Sequence, residues 1–316
     1  MLILWLALLG LIAANRQDII DWYKLRQYQA PAPVSQLATE STMTDFARKV
    51  FYVNAPAIQD KASFAKECLS QGNKQEQTIV LGCYHSNQNG IFLMKVSDPR
   101  LNGVQQVTAA HEMLHGAYDR LNSSDRSKVD AMLMDYYKND LHDQRIIDTI
   151  AAYKKSEPND IVNEMHSIFG SEVSNLPSGL EQYYKRYFSD RAQVVAFADQ
   201  YQAEFTSRQT VVAQADAKLD ILKQQISDSE ASLKSQQATI EAKKNALNSL
   251  KASGDFAAYN AGVVSYNVLV NVYNGEVGNL RSLISQYNSL VASRNATALE
   301  ANQLSKELSN DTATIN

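Results

Sequence analysis

Apolar positions along this chain follow two different periods, and the longer run of order lies at the C-terminal end. From Phe205 onward they recur every seven residues, at Phe205, Val212, Leu219, Ile226, Leu233, Ile240 and Leu247. Leu222 and Leu250 hold a companion position that Ser229, Gln236 and Lys243 dilute. After the break Lys251–Asp255 (KASGD), a second series runs through Val263, Val270, Val277, Ile284 and Val291, accompanied by Tyr266, Tyr273, Leu280, Tyr287 and Leu308. A strict seven-residue repeat predicts a left-handed coiled coil. Two such runs around one glycine-containing turn predict an antiparallel helical hairpin. Residues 178–316 are assigned to it, with the turn near 251–255. Tyr-Asn pairs at 259–260, 266–267, 273–274 and 287–288 read as seam tyrosines with asparagine on the exposed flank, the rival reading being a binding face.

Upstream the period changes from element to element. Met1–Ala14 (MLILWLALLGLIAA) is uncharged and almost wholly apolar. As a helix it spans roughly 20 Å, less than the ~30 Å hydrocarbon core of a bilayer. It suits the core of a signal peptide or a membrane anchor, with a buried core helix as the bland alternative. Residues 1–28 are taken as this segment and its flank, and the Pro/Ala/Ser/Thr-rich 29–42 (YQAPAPVSQLATES) as a linker. In 43–177 a short helix over 42–50 leads to a strand at 50–54 (VFYVN), and a helix follows over 59–70. Thr78–Tyr84 and Gly90–Val96 form a strand hairpin. Helices are expected near 101–120, 123–139, 143–155 and 158–173, with Pro158 in the first turn of the last. The fold class is therefore α+β: a small domain with a short β-sheet and several helices, followed by the long hairpin.

Composition sharpens this division. All six prolines precede residue 178 and all five histidines lie between 85 and 166. Chemistry is thus expected in the first half and unbroken helix in the second. A net charge of -4 gives no footprint for nucleic acid. Cys68 and Cys83 flank a polar turn; in an exported protein they read as one disulfide, worth roughly 3 kcal/mol.

The chemical motif is VTAAHEMLHGAYDRL, residues 107–121. Val107, Ala110, Leu114 and Ala117 form one apolar helical stripe. His111 and His115, four apart, share a face and can bind one metal ion, while Glu112 lies one residue round, within reach of a water on that ion. With five histidines in 316 residues, chance occurrence of this pattern is rare. A catalytic zinc needs a third protein ligand and an open position. The residues leave Glu164, Glu172, His142 and His166 as candidates for it.

The segment HEMLHGAYD resembles the active-site helix of zincin metallopeptidases. Tyr118 and Leu121 stand where the metzincin pattern needs glycine and histidine, which excludes that subgroup. Asn163-Glu164-Met165-His166-Ser167 is similar to the Asn-Glu-x-x-Ser motif of thermolysin-like gluzincins, although Ile168 follows where those enzymes carry an aspartate. The resemblance implies a zincin-like catalytic domain over 43–177 holding one catalytic Zn2+ on His111, His115 and Glu164. Glu112 would be the general base, and Asp119 an acid that steadies a zinc histidine. It also implies that an upstream strand holds the peptide substrate extended, for which Gly90, Ile91, Phe92 and Leu93 are the candidates. A further donor to the transition state is sought among His166, Tyr118, Tyr183, Tyr184 and Tyr187.

The expectation is a zinc endopeptidase acting on protein or peptide, tethered to the cell membrane with its catalytic domain outside the cytoplasm, or else secreted. The hairpin would engage a partner or a second copy of the chain. The alternatives are a non-enzymatic scaffold protein whose zinc site is vestigial or structural, and a cytosolic peptidase with free thiols.

Overall fold

The computed structural model describes residues 16–68, 81–86, 90–156 and 158–309; the apolar segment 1–14 lies outside these residues. The chain is mostly helical with one small sheet, and it forms two compact units. The first contains residues up to Glu204 together with Leu304 onward, and the second is Phe205–Gln303.

In the first unit α1 (Arg16–Gln27), α2 (Ala32–Glu40) and α3 (Asp45–Val53) precede β1 (Ala57–Gln59) and α4 (Lys61–Cys68). The segment read as a linker is thus helix α2. Pro31 caps it and Pro33 lies in its first turn, where a missing N–H costs nothing. Its Val34, Leu37 and Ala38, spaced i, i+3, i+4, are buried in the core. The strand expected at 50–54 is likewise helical. Thr44 caps α3 by accepting from the Ala47 N–H at 3.2 Å, and Ala47, Val50 and Phe51 bury one helical face.

Strand β2 (Gly82–His85) pairs antiparallel with β3 (Gly90–Met94), in the register Cys83 to Phe92. Strand β1 pairs parallel with the other edge of β3, so the order is β1-β3-β2. Cys68 and Cys83 are joined in a disulfide that ties the end of α4 to β2. Helices α5 (Val104–Asp119), α6 (Ser123–Asn139), α7 (Gln144–Ser156) and α8 (Ile161–Glu172) follow. Pro158 precedes α8 rather than opening it, because the chain turns at 158–160 before the helix begins. Helix α5 is the centre of the unit: Ala109, Ala110, Met113, Leu114 and Ala117 share one core with Met165, Ile168 and Phe169 of α8.

Helix α9 (Ser178–Tyr184) and the start of α10 (Arg191–Ala252) belong to this unit too, which moves the expected boundary from 177 to about 204. Leu180, Tyr184, Tyr187, Phe188 and Val194 lie in its core. Arg191 is 8% exposed; it pairs with Glu181 and donates to the Phe169 carbonyl at 3.3 Å and the Ser174 carbonyl at 3.2 Å, at the end of α8.

The second unit is the antiparallel pair formed by the rest of α10 and by α11 (Phe256–Leu308) as far as Gln303, turning at Ser253–Asp255, where Gly254 has φ +79°. Arg208 reaches Glu300, Asp216 pairs with Arg294 at 2.9 Å, Ser229 donates to Glu276 at 2.6 Å and Leu247 packs over Gly262. One number rises as the other falls, which fixes the antiparallel register. Every seven-residue position named in α10 is half-buried or buried. In α11 the tyrosines at 259, 266, 273 and 287 are half-buried in the seam. Ile284 is 39% exposed and Leu283 turns inward instead. A helix of 3.6 residues per turn drifts against a seven-residue repeat, and here the drift selects the neighbouring leucine.

Candidate metal centre

Helix α5 begins at Gly103, whose φ of +103° and close approach to the Phe197 carbonyl (a Cβ would lie 2.6 Å away) exclude a side chain. From there the apolar stripe sinks the helix into the core. His111 and His115 emerge on one side, with ring centroids 4.8 Å apart. Helix α8 packs along α5 and presents Glu164 from its first turn. His111 Nε2 lies 3.6 Å from Glu164 Oε2 and His115 Nε2 lies 3.4 Å from Glu164 Oε1. One ligand atom from each residue fits within a 4.8 Å group, so these three can hold a metal ion. Two atoms at about 2.0–2.1 Å from one tetrahedral ion lie about 3.3 Å apart, which is close to the separations observed.

Two further observations fit a cation. Glu164 is 5% exposed, yet its Oε2 has no hydrogen-bond partner. A buried carboxylate oxygen left so is costly unless a cation meets it, a role open to a bound ion or to a protonated His111, 3.6 Å away. The tautomer of His115 is also fixed. Asn163 Nδ2 donates to Asp160 Oδ2 at 3.0 Å, and a carboxylate can only accept, so Asn163 Oδ1 is turned to His115 Nδ1, 3.0 Å away. A neutral His115 thus carries its proton on Nδ1, which leaves the Nε2 lone pair for an ion shared with Glu164. The bond that orients this histidine therefore comes from Asn163, not from Asp119. Asp119 accepts from the Tyr84 hydroxyl at 2.9 Å, and the Tyr84 ring lies parallel to His115 with centroids 6.5 Å apart.

Without an ion the site balances its own charge. Burial opposes a charge on His111, but Glu164 and the Glu112 carboxylate outweigh burial and push it up to about 9. Burial also works to raise Glu164, and the two histidines outweigh it and hold the carboxyl below its ordinary range.

Glu112 is 5% exposed, one residue round from His111. Strand β2 lies directly over it: a Cβ on Gly82 would stand 2.6 Å from Glu112 Oε1. Glycine there lets the strand backbone approach the carboxylate, and the neighbouring Cys83 ties that stretch to α4.

The other third-ligand candidates are placed elsewhere. Glu172 pairs with Arg145 at 2.6 Å, and His142 is exposed. His166 is wholly buried, with Nε2 at 2.8 Å from the Tyr183 hydroxyl, and burial holds its pKa well below the ordinary value. The proposed transition-state donors are engaged as well. Tyr118 donates to Asp130 at 2.7 Å, Tyr184 to the His166 carbonyl at 2.7 Å, and Tyr183 shares a 3.1 Å contact with Tyr187. Gly90, Ile91, Phe92 and Leu93 lie on β3, the middle strand; both its edges are paired, so it has none left for an added strand. Among the described residues β2 is the edge strand of the sheet that lies beside α5.

Asn163, Asp160, Tyr84 and Gly82 are the site residues that sequence reasoning missed. Asn163 had a signal, standing next to Glu164 in the quoted motif. Gly82 had none, since its role depends on which strand crosses the helix. Comparison of the chain with protein-family models, with curated proteins and with solved structures finds no match.

Proposed function

We propose that the chain is a zinc-dependent endopeptidase of gluzincin type, with a zincin-like catalytic domain. The observation that carries this is the convergence of His111, His115 and Glu164 within 4.8 Å, from two buried helices, beside Glu112. His111, His115 and Glu164 would hold the ion, which, when bound, supplies Lewis-acid polarisation of a peptide carbonyl and lowers the pKa of water. Glu112 takes the proton of the attacking water and passes it to the leaving amine. Asn163 keeps the His115 lone pair aimed into the site. Strand β2, at the edge of the sheet beside α5, would lie along an extended substrate in place of the middle strand β3. The Cys68–Cys83 disulfide supports an oxidising compartment. Residues 1–14 would provide the membrane tether; among the described residues no helix is long and apolar enough to cross a membrane. The helical pair would serve partner engagement.

Zinc analysis with a peptide-library cleavage assay, on wild type and Glu112→Gln, tests this reading. The expected result is stoichiometric zinc in both and cleavage only by the wild type. Zinc without cleavage by the wild type would return the chain to the scaffold reading. Cleavage that survives Glu112→Gln would remove Glu112 as the base.

A further inference from the structure

Helix α1 has two faces of opposite character. The inner face carries Gln17 and Asp21, and the chain beyond its end adds Tyr28. Asp21 is 1% exposed; Arg120 meets it with two nitrogens at 2.8 and 3.0 Å, Lys49 at 3.1 Å and Gln17 at 2.9 Å. The Tyr28 hydroxyl donates to the Pro56 carbonyl at 2.7 Å. A carboxylate buried among two cations and an amide is a demanding fixture, so α1 is held in one orientation on the unit.

The outer face carries Ile19, Trp22, Tyr23 and Arg26, spaced i, i+3, i+4, i+7 and therefore on one side of the helix. Ile19 is 48% exposed and Trp22 and Tyr23 are each 59% exposed. The Arg26 guanidinium lies over the Trp22 ring, 4.6 Å from its centroid. This is the composition of a helix face at a membrane–water interface: aromatic rings at headgroup level, an aliphatic residue below them, and a cation that reaches the phosphates along its own stem.

The chain upstream names the occupant. Only Asn15 separates α1 from the uncharged apolar run 1–14. Two extended residues reach roughly 7 Å, about the depth of one headgroup layer. If that run is embedded in a bilayer, α1 begins inside the headgroup layer. Its inner face is committed to the protein, so the face left for lipid is the aromatic one.

We infer that the outer face of α1 lies in the headgroup layer, so that the first unit is seated on the membrane through Ile19, Trp22 and Tyr23 instead of swinging on a flexible tether. This rests on reading residues 1–14 as the membrane tether, and not on the peptidase reading. Arg120 directly follows Asp119 at the end of α5, so the seat is fastened to the helix that bears His111 and His115. The orientation of the metal site relative to the bilayer is thereby set.

The chain has two tryptophans, Trp5 and Trp22, and each can report alone. Full-length Trp5→Phe leaves Trp22 as the reporter on α1, and full-length Trp22→Phe leaves Trp5 as the reporter of the tether. Both are mixed with phosphatidylcholine–phosphatidylglycerol vesicles whose acyl chains carry bromine either near the glycerol end or deep in the tail. The expected result is a blue shift for both reporters, with Trp22 quenched more by shallow than by deep bromine. Adding Ile19→Ser and Tyr23→Ser to the Trp5→Phe chain should weaken the Trp22 response. If Trp5 is quenched while Trp22 emission stays that of a water-exposed ring, the seat is overturned and the tether stands. If neither reporter responds, both fall.

Discussion

The unit that carries His111, His115 and Glu164 and the helical arm treat polar groups in opposite ways. The first unit buries Asp21, Gln106, Glu112, His115, Asn163, Glu164, His166 and Arg191. Among its described residues the arm buries one polar side chain, Ser229, and its ion pairs Arg208–Glu300 and Asp216–Arg294 stay partly exposed. Burying a charge costs free energy unless a partner meets it. An apolar seam carries no such cost, so the arm needs only a seven-residue repeat and helix-compatible residues. The difference teaches where function is invested. A unit that accepts the desolvation of two glutamates and two histidines must meet each of them with a partner, whereas the arm needs only its apolar seam.

The largest test of that contrast is pH. In metal-free protein the folded pKa of His111, about 9, lies above its ordinary value of 6.5. A raised histidine contributes stability that is complete below about 6.5 and is lost as pH rises through about 9. The full loss is on the order of 3 kcal/mol. Hydrogen exchange of chelator-treated protein, corrected for intrinsic rates, should show peptides from 104–119 and 161–172 losing protection between those limits. Peptides from 205–303 should not change. Uniform loss across both units would erase the distinction, and restored zinc should abolish the pH dependence, because the ion then holds His111 unprotonated.

A smaller effect is expected at Asn163. Asn163→Ala removes the acceptor that fixes the His115 tautomer but leaves all three ligands in place. Partners of this kind are worth about 10–100-fold in metal affinity. Chelator competition should show that loss, while exchange protection in the arm stays as in the wild type. Unchanged affinity would mean that packing against Tyr84 alone orients the ring.

What the sequence made legible follows the same division. The seam of α10 was readable residue by residue, because period is a local property and nothing buried competes with it. Helix α5 was readable for the same reason, its apolar stripe and its HExxH spacing agreeing. Helix α2 was not: Pro31 and Pro33 resemble linker punctuation, and only the i, i+3, i+4 spacing of Val34, Leu37 and Ala38 tells that they open a buried helix. The run VFYVN has the composition of a strand but the burial of a helix, decided by the cap at Thr44 and by the core that Val50 and Phe51 reach. The middle position of β3 was beyond reach, since strand order is set by β1, three residues long and without a pattern of its own.

The smallest effect sharpens the comparison from the arm's side. Arg294 meets Asp216 through two nitrogens, at 2.9 and 3.2 Å, but the side chains are 34% and 49% exposed. In water such pairs gain little attraction and lose side-chain freedom. Arg294→Ala should therefore leave hydrogen-exchange protection across 205–303 within error of the wild type, at low salt and at high. Leu233→Ala and Leu247→Ala remove seam side chains that are 8% and 7% exposed and should each lower protection around the site of change. If Arg294→Ala proved as damaging as either leucine change, the arm would be an electrostatic structure and its seven-residue repeat incidental. The reverse outcome leaves charge as the organising force of one unit only, the one that holds His111, His115 and Glu164.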